Sequence, residues 1–292
     1  MKPTDFQPPG IMTKIELGAW ITKTARAIKH ETSFPLLEIH AIVSHILGQS
    51  REWIITHQET VLNDDQLLAL DAAIIRLMND EPLAYITGRR SFFGLEYYVD
   101  KRVLVPRPET ELLVEQAIGW LKDHPGQRSV IDVGTGSGII AISVAREIPD
   151  ALVTAVDVSN DALDVAAINV KKHGVQDRIS LKKSDLLADV DEVFDLVVAN
   201  LPYIPSGAQE ITTALKHEPR LALDGGENGL RCISKLISQC VEKITSNGCA
   251  FLEIQYNHGI AVMEMAARQF PRALISLHRD LASNPRVVKI QL

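Results

Sequence analysis

Apolar positions along this 292-residue chain fall into two regimes. Up to residue 80 they recur at helical spacing: Ile15, Leu17, Trp20, Ile21, Ala25 and Ile28, then Leu36, Leu37, Ile39, Ile42, Val43, Ile46 and Leu47, then Leu67, Leu68, Leu70, Ala73, Ile74 and Leu77. Three such stripes predict a small helical bundle, with Asn63 as the N-cap of its third helix. Past residue 109 short apolar runs replace the stripes, at 129–133, 152–156, 194–199, 250–254 and 287–290. Each reads as a strand, and helical patterns such as Ile139-Ile140-Ala141-Ile142-Ser143-Val144-Ala145 stand between them. This alternation predicts a doubly wound α/β sheet. Residues 91–105 read as a β-hairpin linker, and Pro108 suits the first turn of a helix carrying Glu109, Glu111, Leu112, Leu113 and Val114. The expected organisation is a helical domain at 1–80, a linker at 81–108 and an α/β domain at 109–292.

Open α/β sheets bind ligands beyond the carboxyl ends of their strands, and two strand ends here carry unusual chemistry. Asn200-Leu201-Pro202-Tyr203 follows the run 194–199. The Asn200 side chain offers an uncharged acceptor and an NH₂ donor, while Pro202 biases Leu201 toward an extended backbone that aims the Leu201 carbonyl at the same point. Two acceptors beside the Tyr203 ring make a receptacle for a planar NH₂ group, which points to chemistry on an amide or amino nitrogen. The plainer reading is a strand-to-loop transition with a capping Asn. The second strand end is Asp132-Val133-Gly134-Thr135-Gly136-Ser137-Gly138, ahead of a helix. Glycines there permit sharp turns and close approach to a ligand, and the helix N-terminus supplies free N–H groups. Asp157, ending the next strand, is placed to accept both hydroxyls of a ribose. Gly136 to Ala141 also satisfies the loose G-x-G-x-x-G/A dinucleotide template, but a nicotinamide reading leaves Asp132 and the Asn200 tetrad without a role.

Composition narrows the field. The apolar fraction of 46% is ample for a core, and a net charge of −7 argues against avid nonspecific binding to nucleic acid. Met1-Lys2-Pro3-Thr4-Asp5 lacks the apolar core of a signal peptide and no run reaches transmembrane length, so a cytoplasmic location away from membranes is expected; a monomer is expected as well. Cys232, Cys240 and Cys249 follow neither zinc nor disulfide spacing and read as core packing. The nine histidines, His217 and His258 included, do not cluster, and no metal is implied.

The Asp-x-Gly-x-Gly-x-Gly pattern resembles the first motif of class I S-adenosylmethionine-dependent methyltransferases, and Asn-x-Pro-Tyr resembles their nitrogen-methylating branch. Glu81-Pro82-Leu83-Ala84-Tyr85-Ile86-Thr87-Gly88, Phe92-Phe93-Gly94-Leu95 and Val105-Pro106-Arg107-Pro108-Glu109-Thr110-Glu111 look like the release factor glutamine methyltransferases. Further matches are Glu218-Pro219, Ala222-Leu223, Gly225-Gly226-Glu227-Asn228-Gly229-Leu230, Leu252-Glu253-Ile254 and Asp280-Leu281-Ala282. The resemblance implies a seven-stranded sheet with an antiparallel end strand supplied by the last segment. It also implies methyl transfer from S-adenosylmethionine, leaving S-adenosylhomocysteine, to the glutamine of the Gly-Gly-Gln loop of class 1 release factors. Asn200 Oδ1 and the Leu201 carbonyl would then hold the amide nitrogen, with Pro202 shaping the loop and Tyr203 packed on the amide plane. Asp132, Gly134, Thr135, Gly136, Ser137, Gly138, Asp157 and Asn200 would surround the cofactor, with Asp185 hydrogen-bonding and Leu186 packing beside the adenine. Arg107 and Glu109 either close over the methionine end or form a domain-joining ion pair. The helical domain, with seven Lys/Arg against ten Asp/Glu in residues 1–80, would recognise the release factor body.

The chain departs from the family's usual Asn-Pro-Pro-Tyr at Leu201, which leaves Asn200 without the restraint of a following proline. Asn-Leu-Pro-Tyr is similar to the rRNA adenine dimethyltransferases, so an N6-adenine methyltransferase acting on rRNA or DNA is the alternative enzyme. A cofactor-binding adaptor with a decayed site is the non-enzymatic alternative.

Overall fold

The computed structural model describes residues 14–208 and 216–292. Contacts divide the chain into two compact units, one ending at Gly88 and the other beginning at Arg89, with His217 returning to the first. The first unit holds β1 (Ile15–Glu16), α1 (Leu17–Ile28), α2 (Pro35–Leu47), α3 (Arg51–Thr56), β2 (Val61–Leu62), α4 (Asp64–Met78) and α5 (Leu83–Thr87). The three helical stripes lie in α1, α2 and α4, where Leu17, Ile28, Ile39, Ile42, Leu70 and Ile74 are fully buried in one core. Asn63 caps α4 in a reciprocal box: its Oδ1 accepts from the Gln66 backbone N–H at 2.8 Å, and Gln66 Oε1 accepts from the Asn63 N–H at 3.0 Å. Ile15 is not helical as the first stripe implied, because it pairs with Leu62 in a two-residue antiparallel ladder. The six-residue α3 is too short to display a period, and only its Ser50 cap, accepting from Trp53 N–H at 3.2 Å, marks it locally.

The second unit opens with a hairpin, β3 (Arg89–Phe92) and β4 (Leu95–Tyr98). It begins two residues before the segment that reads as a hairpin, because Phe93 and Gly94 form the turn, both at positive φ (48° and 71°). The remaining elements are α6 (Thr110–Asp123), β5 (Ser129–Val133), α7 (Ile139–Glu147), β6 (Leu152–Asp157), α8 (Asn160–Lys172), β7 (Ile179–Lys183), β8 (Phe194–Ala199), α9 (Arg231–Cys240), β9 (Ile244–Glu253), α10 (Gly259–Gln269), β10 (Leu274–Arg279) and β11 (Pro285–Gln291). Seven strands form one sheet in the order β10-β11-β9-β8-β5-β6-β7, with apolar clusters on both faces. The last segment does supply the antiparallel strand. It is not an end strand, however, since β11 inserts between β9 and β10 and leaves β10 at the edge.

Sheet order positions the site. From β5 the chain winds outward through β6 and β7, then returns to place β8 on the other side of β5, so the direction of winding reverses between β5 and β8. That switch point leaves a crevice at the carboxyl ends of the two strands. Parallel pairing of Val133 with Ala199 brings Gly134 and Asn200 to its two lips.

Candidate active site

A cavity of about 440 Å³ opens at this switch point. Its wall includes Gly134, Thr135, Gly136, Ser137, Asp157, Asp185, Leu186, Asn200, Leu201, Pro202 and Arg107, so most residues singled out by sequence converge on one space. The glycine loop curls because Gly134, Gly136 and Gly138 all adopt positive φ (75°, 57° and 83°), which L side chains rarely tolerate. Backbone N–H groups of Gly134 and Thr135 both donate to the Val156 carbonyl at 2.9 Å, anchoring the loop to β6. A Cβ on Gly134 would stand 2.9 Å from Leu201 Cδ2, so the two strand-end loops are in close contact.

Four predicted residues lie off the cavity wall. Gly138 caps α7 and packs against Ile142 and Ala166. Asp132 is fully buried beneath the loop, its Oδ2 accepting from Thr135 Oγ1 at 2.6 Å and from the Ala141 N–H at 3.1 Å while Oδ1 has no partner. Its role is to hold the loop's shape. Burial pushes the Asp132 carboxyl up to about 7, against the Thr135 and Ala141 donors and with a small addition from the Asp157 charge. The folded chain therefore retains a proton that the unfolded chain releases. This contribution to stability is complete below the unfolded value of 3.8 and is lost as pH rises toward about 7. Asp132→Asn should flatten the pH dependence of the melting temperature across that window. A variant with the wild-type slope would assign the dependence to other groups.

Glu109 and Tyr203 complete the four. Tyr203 is largely buried behind the wall, and burial with the Glu253 charge pushes its hydroxyl up to about 12. Arg107 does not pair with Glu109. Its guanidinium reaches the buried carboxyl of Glu218, whose other oxygen accepts from the Val105 N–H at 3.1 Å. The ion pair thus ties the segment before α6 to the segment that resumes at Glu218, entirely within the second unit.

On the far side, Asp157 Oδ2 accepts from the Gly136 N–H and Oδ1 from the Ser159 N–H, each at 2.9 Å. Burial raises its pKa, opposed by those two backbone donors. Asp185 accepts from Lys235 Nζ at 2.5 Å, and Leu186 holds a positive φ of 58° on the same wall. Lys235 comes from α9, an element that local pattern does not connect to this site. Cys232 is half-buried, packed against the apolar core on one side and lining the cavity on the other, whereas Cys240 and Cys249 are buried with thiols pushed up to about 12. His258 is buried, and His217 bonds the Asn79 carbonyl at 2.9 Å.

The centre of the site is Asn200. Its Nδ2 donates to Thr110 Oγ1 at 2.9 Å, while Oδ1 has no hydrogen-bond partner among the described residues. Thr110, at the start of α6, thus restrains the Asn200 side chain, whereas a following proline would restrain its backbone. Leu201 is no loose substitute for that proline, since its side chain is buried against the glycine loop. Among the described residues there is no group of three or more His, Cys, Asp or Glu able to hold a metal, and no helix long and apolar enough to cross a membrane.

Residues 109–256 match the family model of the methyltransferase small domain, and residues 19–88 match that of the PrmC N-terminal domain. The release factor glutamine methyltransferase of Rhodopirellula baltica is 34% identical over 287 residues, covering 96% of both chains. The chain belongs to the release factor glutamine methyltransferases. A second member, from Lactococcus lactis subsp. lactis, is 36% identical over 82% of this chain and 87% of its own. The hMettl16 catalytic domain, solved with MAT2A 3′UTR hairpin 6, matches with a TM-score of 0.54 over 85% of this chain and 92% of its own. At 13% identity that likeness shows the fold alone.

Proposed function

We propose that this protein methylates the side-chain amide nitrogen of the glutamine in the Gly-Gly-Gln loop of class 1 release factors, as a cytoplasmic monomer, using S-adenosylmethionine. The observation that carries the reading is Asn200, held at the switch point with its NH₂ turned to Thr110 and its carbonyl left over. The cavity fits such a cofactor: the left-handed Gly134 and Gly136 bring bare backbone to the wall, Asp157 stands at the end of β6, and Leu186 adds an apolar surface. When bound, S-adenosylmethionine supplies a methyl group on a sulfonium centre. Gly134 to Gly138 would hold its amino-acid end, Asp157 its ribose, and Asp185 with Leu186 its adenine.

The chain's own contribution is orientation. An amide nitrogen is a weak nucleophile because its lone pair is delocalised, so it must be fixed in line and favoured in its pyramidal form. Asn200 Oδ1 and the Leu201 carbonyl accept its two N–H groups, and Pro202 limits its movement, backed by Tyr203 behind the wall. Arg107, held by Glu218, lines the cavity and recognises substrate polar groups, and Glu109 supports that recognition from off the wall. Residues 1–80 dock the release factor body, 81–108 join the two parts, and 109–292 carry the transfer.

Incubation with labelled S-adenosylmethionine and either purified release factor or rRNA tests this. Label on the release factor glutamine is expected, and label on rRNA alone would replace the proposal by adenine methylation. Asp157→Ala should weaken cofactor binding by about 1.5–3 kcal/mol, through loss of a charge-assisted ribose contact. Calorimetry returning the wild-type dissociation constant would remove Asp157 from that role.

A further inference from the structure

Two side chains from distant parts of the chain, Thr110 and Glu253, meet behind Asn200, and one of them is a carboxyl whose presence there needs a reason. Glu253 ends β9, where parallel pairing of Ala199 with Leu252 sets it beside Asn200. It is 1% exposed, and neither carboxylate oxygen completes a hydrogen bond of full geometry; burial pushes its pKa up to about 7, opposed by the nearby Thr110 and Asn200 side chains and the Arg286 charge. A buried carboxyl in that condition is costly unless it organises the donors around it. Thr110, the first residue of α6, is equally buried.

Hydroxyl bookkeeping then sets a direction. A threonine hydroxyl has one proton to donate and two lone pairs. Thr110 Oγ1 accepts from Asn200 Nδ2, so its own proton is free for an acceptor, and Glu253 is the uncommitted acceptor at hand. A relay running Asn200 N–H to Thr110 O–H to Glu253 makes Thr110 an acceptor toward Asn200. The reverse amide orientation would bring Asn200 Oδ1 against this acceptor-rich pair and turn NH₂ toward the cavity, where it would meet the substrate's own NH₂ donor to donor.

Resting on the proposed methylation of glutamine, we infer that Thr110 and Glu253 are positioning residues that lock the Asn200 amide with its carbonyl toward the substrate nitrogen. Neither touches substrate. Their effect is confined to the fraction of enzyme that presents an acceptor, and so to the rate of transfer.

Thr110→Val keeps shape and removes the hydroxyl; Thr110→Ser keeps the hydroxyl and loses a methyl group. Steady-state methylation of purified release factor, with cofactor affinity by calorimetry, distinguishes orientation from packing. Thr110→Val should lower kcat by about 10–100-fold with KM for the release factor and cofactor Kd unchanged. Thr110→Ser should restore most of kcat, and Glu253→Gln should lower kcat while sparing Kd. Wild-type kcat in Thr110→Val, or an equal loss in Thr110→Ser, would overturn the inference, as would a Kd that weakens in step with kcat. Wild-type enzyme that binds cofactor and leaves the release factor unmodified would overturn the proposed substrate and the inference with it; an active wild type with insensitive variants overturns the inference alone.

Discussion

Asn200→Ala should lower the turnover of release factor methylation by about 10²–10³ at saturating cofactor, the loss typical of removing one preorganised contact to a developing transition state. The size follows from geometry. Asn200 is tethered through its nitrogen to Thr110, so its carbonyl is fixed before substrate arrives and costs no reorganisation during transfer. Alanine leaves the Leu201 carbonyl as the sole acceptor, and the substrate amide is then free to rotate out of line. Cofactor affinity should fall much less, because the glycine loop and Asp157 remain. Single-turnover rates with release factor separate the two effects. Near-normal transfer in Asn200→Ala would end the amide-clamp mechanism.

Local chemistry was legible in the chain, and long-range chemistry was not. Asn63 could be read as a cap because capping links residues three apart, and the glycine loop because its conformation is written in its own residues. The doubly wound sheet followed from alternating strand and helix patterns. Its one misplaced detail, β11 lying one strand in from the edge, is a choice of insertion that periodicity does not encode. Local pattern does not mark Thr110, Glu218, Glu253 or Lys235 as site residues, although the first three stand inside family motifs. Thr110 matters because α6 delivers it to the end of β8, and Glu253 because of a register between β8 and β9. Of the two readings open for Arg107, the ion pair with Glu109 fails for the same reason: its partner, Glu218, lies 111 residues further along the chain.

Gly229→Ala should be nearly as damaging as Asn200→Ala, though Gly229 lies off the cavity wall. The segment from Gly225 to Gly229 braces the Asn200 to Tyr203 loop from behind. Gly225 donates its N–H to the Ile204 carbonyl at 2.8 Å, Ile204 donates to the Leu223 carbonyl at 3.0 Å, and a Cβ on Gly225 would stand 2.7 Å from the Pro202 carbonyl. At Gly229 the brace is tighter still, since an added Cβ would fall 2.2 Å from the Tyr203 carbonyl oxygen and 2.9 Å from His258 Cε1. Backbone cannot yield there without moving the tetrad. The residue also sits at a φ of +70°, so alanine carries strain of about 1–3 kcal/mol besides the collision. Gly174 supplies the control, because it has a similar φ of +65° but nothing within 4 Å of an added Cβ. Gly174→Ala should lower the melting temperature through strain alone and leave turnover intact. Gly229→Ala should lower both, with cofactor affinity largely retained. Equal turnover in the two variants would show that the tetrad is held by something other than this glycine brace.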